Sequence, residues 1–119
     1  MAAEVCAYLR RRYDVERHLA MAASDQQPAR WHVGRRGLVS AVCSDAGIVA
    51  AELDPADAAH AATWDPHRAV LESVMKQALL AQIEAFATES HSPAAQHAAR
   101  EMLRALLHPY RDRADCPIL

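Results

Sequence analysis

The densest cluster of polar functional groups in the chain is the segment His60-Ala61-Ala62-Thr63-Trp64-Asp65-Pro66-His67-Arg68. His60, Asp65 and His67 are donors that zinc accepts, but zinc needs three or four of them converging at about 2.0–2.3 Å. Pro66 breaks the helical register between the two histidines, so they form no i,i+4 pair. No cysteine stands at a ligand spacing from them. Asp65-Pro66 has a simpler use, a helix N-cap followed by proline at the first helical position. No metal ligand is therefore assigned. An anion could meet the free N–H groups of the helix that opens here, with Arg68 on its first turn. The Asp65 carboxylate occupies that cap and repels an anion. Trp31, Trp64 and Tyr110 could wall a pocket or anchor an interface. In a chain with one Phe, two Trp and three Tyr, such rings are also the natural plugs of a core. Trp31, His60, Trp64, His67, Arg68 and Tyr110 are the candidate residues for binding a ligand or partner.

A second constellation is cationic. Arg10, Arg11, Arg12, Arg17, Arg30, Arg35 and Arg36 all precede residue 44, where seven Arg face four acidic residues. Residues 44–89 reverse the balance, with eight acidic residues against Arg68 and Lys76, and residues 90–119 are near neutral. An Arg-bearing hairpin beside an Arg-bearing helix could track phosphates, with Arg10, Arg11, Arg30, Arg35 and Arg36 as contacts. The formal net charge of −2 and the absence of a helix-turn-helix or zinc-finger pattern place that reading second. Catalysis ranks third. The chain has no G-x-S-x-G, H-E-x-x-H, P-loop or Rossmann fingerprint. No catalytic residue or cofactor is assigned, and an enzyme here would have to use His60 or His67.

The elements that must position these residues follow from periodicity and breakers. Residues 2–23 read as a helix burying Val5, Cys6, Tyr8, Leu9, Tyr13, Leu19, Ala20 and Ala23, and the breaker Ser24-Asp25-Gln26-Gln27-Pro28 ends it. Three short strands follow, at 31–33, 38–43 and 48–53. Gly34-Arg35-Arg36-Gly37 and Ser44-Asp45-Ala46-Gly47 are the expected turns. Asp54-Pro55, Asp65-Pro66 and Ser92-Pro93 each start a helix, giving 55–63, 66–89 and 93–107. The expected stripe of the long helix is Val70, Leu71, Val74, Met75, Ala78, Leu79, Ile83 and Phe86. That of the last helix is Ala95, Ala98, Ala99, Met102, Leu103, Leu106 and Leu107. Pro109 disfavours helix at His108, so 108–119 reads as an irregular tail. The order α-β-β-β-α-α-α predicts a two-layer α+β domain spanning 1–119.

Composition bounds the rest. At 119 residues and 52% apolar, the chain is long enough for one core without staples. Twelve Arg against one Lys, with abundant Ala, suggest a high-GC bacterial genome. Cys6, Cys43 and Cys116 are far apart and odd in number, which predicts reduced thiols in a cytoplasm. No apolar run nears the roughly 18 residues of a membrane span.

Four stretches carry a resemblance. They are Tyr8-Leu9-Arg10-Arg11-Arg12-Tyr13-Asp14, Pro28-Ala29-Arg30-Trp31, Ala59 through Leu71, and Met102-Leu103-Arg104-Ala105-Leu106-Leu107-His108-Pro109-Tyr110. Together the chain resembles an uncharacterised family of actinobacteria and their phages. That family is marked by a His…Asp-Pro-x-Arg-x-Val-Leu block and a closing Leu-rich Pro-Tyr block. It usually has a second His where Trp64 stands, and its tail usually ends in acidic and aromatic residues rather than Cys116-Pro117-Ile118-Leu119. The resemblance implies the fold and a mobile or accessory gene context, and no activity. The leading functional expectation is a non-catalytic module binding a protein or small molecule. The broad apolar stripes add self-association as a symmetric dimer.

Overall fold

The computed structural model describes residues 2–23, 29–36 (Arg36 by its backbone) and 39–119. The α+β order is as the sequence predicts. Helix α1 (Ala2–Ala22) leads to strands β1 (His32–Arg36), β2 (Val39–Ser44) and β3 (Gly47–Leu53). Helices α2 (Pro55–Thr63), α3 (Pro66–Glu89) and α4 (Pro93–Leu107) follow. The breaker 24–28 and the residue Gly37 lie outside the described residues. The chain forms two compact units, residues 1–15 with 74–119 and residues 16–73.

The first unit is a helical core of Val5, Cys6, Tyr8, Leu9, Tyr13, Leu80, Ile83, Ala99, Leu103, Leu107 and Tyr110. On α4 the buried positions Ala95, Ala99, Leu103 and Leu107 recur every four residues, so one narrow seam faces inward. Met102, expected in that seam, is exposed. Ser92 Oγ accepts from the Ala95 N–H at 3.1 Å, which fixes the start of α4 as a capped turn. The segment expected to be irregular from residue 108 opens instead with a 3₁₀ turn, His108–Tyr110. A tight i→i+3 turn admits Pro109 at its start while continuing the chain direction. That turn carries Tyr110 into the core. Tyr8 meets it edge-on, with ring centroids 6.1 Å apart, and the Arg12 guanidinium carbon lies 5.6 Å from its centroid. The following residues dock too. Tyr8 donates its hydroxyl to Asp115 Oδ1 at 3.2 Å, and Arg104 Nε donates to the Leu119 carbonyl oxygen at 3.1 Å. Burial, then the bond to Asp115, holds the Tyr8 phenol above its ordinary pKa. Desolvation opposes ionisation of Asp115, but the Tyr8 bond and Arg113 outweigh it and hold the carboxyl below its usual range.

The second unit holds an antiparallel sheet in the order β1-β2-β3, with α2 packed on β1 and β2. Strand β1 runs through Arg36, paired with Val39, so Gly34-Arg35-Arg36 is strand rather than turn. Gly34 has a different reason to be glycine. A Cβ there would sit 2.8 Å from Cys43 Sγ on the neighbouring strand. Gly34→Ala is therefore expected to lower stability by about 1 kcal/mol. Adding Cys43→Ala should recover it in a denaturant titration. Gly47 follows the two-residue turn Asp45-Ala46 with φ +127°, open only to glycine at low cost. Register shifts interrupt the β2–β3 pairing on both sides of Val42, and Glu52 sits at φ 57° beside Leu53. These are β-bulges, in which β3 carries extra residues.

The long helix departs most from expectation. Leu80 and Ile83 are its large buried apolar side chains, with Ser73 buried beside them on the same face. Of the expected stripe, Ile83 alone is buried, while Leu71, Val74, Met75, Leu79 and Phe86 are 41–58% exposed. Leu19 and Ala23, expected in the α1 stripe, are likewise exposed. Helix α3 has two apolar faces, and the sequence stripe follows the one that the fold leaves open.

Candidate functional site

The junction of α2 and α3 gathers the candidate residues of the second unit. Its foundation is Asp65. Asp65 Oδ1 accepts from the Arg68 N–H at 2.7 Å, which caps α3. Oδ2 accepts from the Trp31 N–H at 3.0 Å, 34 residues earlier in the chain. The His67 N–H donates to the Ala29 carbonyl at 3.0 Å. The start of α3 and the segment leading into β1 are thus joined by two bonds running in opposite senses. Asp65 is 9% exposed, and both carboxylate oxygens are engaged in structure. A free carboxylate for metal or proton chemistry is not on offer here. By contrast Asp54, the matching residue before α2, makes no side-chain capping bond.

Trp64 closes α2 and stays 50% exposed. Arg68 lies over it, with its guanidinium carbon 4.2 Å from the indole centroid. Arg68 Nε also donates to Glu72 Oε1 at 3.0 Å, one turn further along α3. The His60 ring sits 6.3 Å from Trp64, tilted by 48°. The i,i+4 spacing on either side of Trp64 brings the three together, His60 through α2 and Arg68 across the cap. His60, Trp64 and Arg68 therefore form one contiguous surface group: a large aromatic face, a cation held on it, and an imidazole at its edge. Such a stack is worth about 0.5–1 kcal/mol at an exposed site, and it holds both side chains in place before any partner arrives. Arg68 is turned onto Trp64 and Glu72, not toward the helix N-terminus, so it does not complete an anion site.

The other candidates fall elsewhere. Trp31 and His67 are half-buried, tied into this junction through their backbones. Tyr110 is buried in the core of the other unit. Arg10 is ion-paired with Glu84, and Arg12 is half-buried over Tyr110. Arg11, Arg17, Arg30 and Arg35 are exposed, while the Arg36 side chain lies outside the described atoms. The cationic set is divided between the two units, with Arg10 and Arg11 in one and Arg30 and Arg35 in the other. No group of three or more His, Cys, Asp or Glu able to hold a metal occurs among the described residues. Cys6 is buried, and that burial, reinforced by Glu84, pushes its thiol above the ordinary value, which works against a nucleophilic role. Among the described residues, no helix is long and apolar enough to cross a membrane.

Sequence reasoning missed the Arg68–Trp64 stack and the open apolar face of α3. The i,i+4 spacing signalled the first. The second has no such signal, because apolar residues on two sides of α3 leave the buried side to tertiary packing. Comparison with curated proteins and with solved structures finds no significant match. Residues 2–117 match a family of unknown function, DUF6221. The match covers all the elements described above, and the chain belongs to that family.

Proposed function

We propose that this protein is a non-catalytic interaction module that docks a protein partner through the exposed Trp64–Arg68 pair. The observation that carries the reading is a tryptophan left half open to solvent and fixed under an arginine. Trp and Arg are the residues that most often dominate binding energy at interfaces, and here they are stacked on one another in advance of any partner. Leu71, one turn beyond Arg68 and 56% exposed, extends the patch with apolar surface. The setting is the cytoplasm of an actinobacterium or its phage, on the strength of the Arg-for-Lys composition and the family resemblance.

Capture from a lysate by the immobilised protein tests this, with Trp64→Ala as the comparison. Trp64 supports no core, so the variant should keep its fold and melting temperature. It should lose the captured protein by about tenfold or more. Equal capture by both proteins would overturn the reading. Loss of all captured material on nuclease treatment would favour the nucleic-acid alternative through Arg11, Arg30 and Arg35.

A further inference from the structure

Helix α4, within the first unit, repeats one short pattern along its inner edge. Arg100-Glu101-Met102-Leu103 and Arg104-Ala105-Leu106-Leu107 each place an arginine three residues before a buried leucine. At that spacing the two side chains are neighbours on one side of the helix. The two repeats meet different surroundings. Leu119 lies beside the second. Its side chain packs against the helical core, and its main-chain oxygen accepts from Arg104 Nε at 3.1 Å. Arg104 is also ion-paired with Glu101. The first repeat faces a cavity of about 370 Å³. Ala99, Leu103 and Leu119 supply its apolar wall, and Gln96, His97 and Arg100 its polar rim. Small-ligand sites run from about 300 to 1,000 Å³, so the cavity is large enough for one. Gln96 donates its amide to the Ala87 and Ser90 carbonyls at 2.7 and 2.8 Å, which fixes that side of the rim. Arg100 is exposed and has no ion pair or hydrogen-bond partner among the described residues. Among those residues, no acidic side chain lines the cavity.

We propose that this cavity binds a medium-chain aliphatic carboxylate, its head on Arg100 and its chain along Ala99 and Leu103. Leu119 shows what such a repeat accommodates. On the neighbouring repeat it sets an aliphatic group against the core and an oxygen on the arginine. A ligand with the same two parts suits the first repeat. Arg100, unlike Arg104, is not neutralised by an ion pair among the described residues, so the matching head is an anion. A guanidinium presents two parallel N–H groups to a carboxylate, which fixes the head in orientation as well as place. An inorganic anion could meet Arg100 but would leave the apolar wall uncovered, and burial of that wall is what an aliphatic chain adds. The site belongs to the first unit, whereas the Trp64–Arg68 pair belongs to the second, so it adds a small ligand to the protein partner proposed above.

Isothermal titration calorimetry of the purified protein with sodium decanoate tests this. One decanoate should bind per chain, with a dissociation constant of about 10–500 µM. Octanoate and hexanoate should bind more weakly, by roughly threefold for each methylene removed. Decanol, with the same chain and no charge, should bind at least about tenfold more weakly than decanoate. Arg100→Gln should bring decanoate down to the level of decanol. Its melting temperature should stay that of the wild type, because Arg100 is exposed and supports no other group. In amide NMR spectra the decanoate-induced shifts should centre on residues 96–103. No saturable binding, several equivalent sites filling together, equal affinity for decanol and decanoate, undiminished binding by Arg100→Gln, or shifts centred elsewhere would each overturn the proposal. Trp64→Ala should bind decanoate as the wild type does. The carboxylate site can therefore fail while Trp64-dependent capture from a lysate succeeds, and the reverse.

Discussion

Leu80→Ala should destabilise the protein by about 3 kcal/mol, whereas Leu79→Ala, one residue away, should cost less than about 0.5 kcal/mol. Leu80 is fully buried, in contact with a core that includes Val5, Leu9 and Tyr13. Removing its isobutyl group forfeits the transfer free energy and leaves a cavity that three helices can only partly close. Leu79 is 45% exposed and faces outward. Its truncation gives up little burial, and alanine is the better helix former. For a domain of this length the difference corresponds to roughly 10 °C in melting temperature. Urea titrations at low micromolar protein keep any self-association out of the comparison. Equal losses at the two positions would mean that α3 is rotated from the orientation described.

Asp65→Ala should be the most damaging polar substitution, at about 2–4 kcal/mol. The loss of an N-cap accounts for about 1 kcal/mol. The part-buried Trp31 N–H is then left beside a small apolar side chain, and a donor left without its partner costs about 1–3 kcal/mol more where water does not replace it. Asp65→Asn should fall between, at about 1–2 kcal/mol, because an amide offers one acceptor where the carboxylate offers two. Hydrogen exchange gives a sharper readout than stability alone. In the alanine variant the amides of Trp31 and Arg68 should both lose protection, although they are far apart in sequence. Loss at Arg68 alone would show that the Trp31 bond contributes nothing.

These two positions also mark where the sequence was legible and where it was not. Proline at the first helical position, after a small polar residue, located α2, α3 and α4 to the residue, because a missing N–H and a fixed φ are tolerated there and almost nowhere else inside a helix. The capping residues themselves were less uniform. Ser92 and Asp65 cap, while Asp54 leaves proline to mark the start without help. Burial on α3 could not be read from periodicity, since leucines at 71, 79 and 80 offer stripes on two sides and only tertiary packing chooses between them. The second role of Asp65 was equally out of reach, because a bond to a backbone N–H 34 residues away leaves no local pattern. The sequence offers Trp64 and Arg68 as separate candidates. Their stacking follows from an i,i+4 spacing that crosses the cap, where no single helix signals it.

The irregular register of β3 bears on what this protein becomes at high concentration. A three-stranded sheet has two open edges, and a straight edge strand with Ile48 and Val49 exposed would be a template on which further copies could add without limit. Two bulges within seven residues break the ladder spacing that such templating needs, and the left-handed backbone at Glu52 turns the strand out of line. Fibre growth along that edge is thereby frustrated. At high concentration, strand addition is therefore expected at the regular β1 edge in preference to the β3 edge.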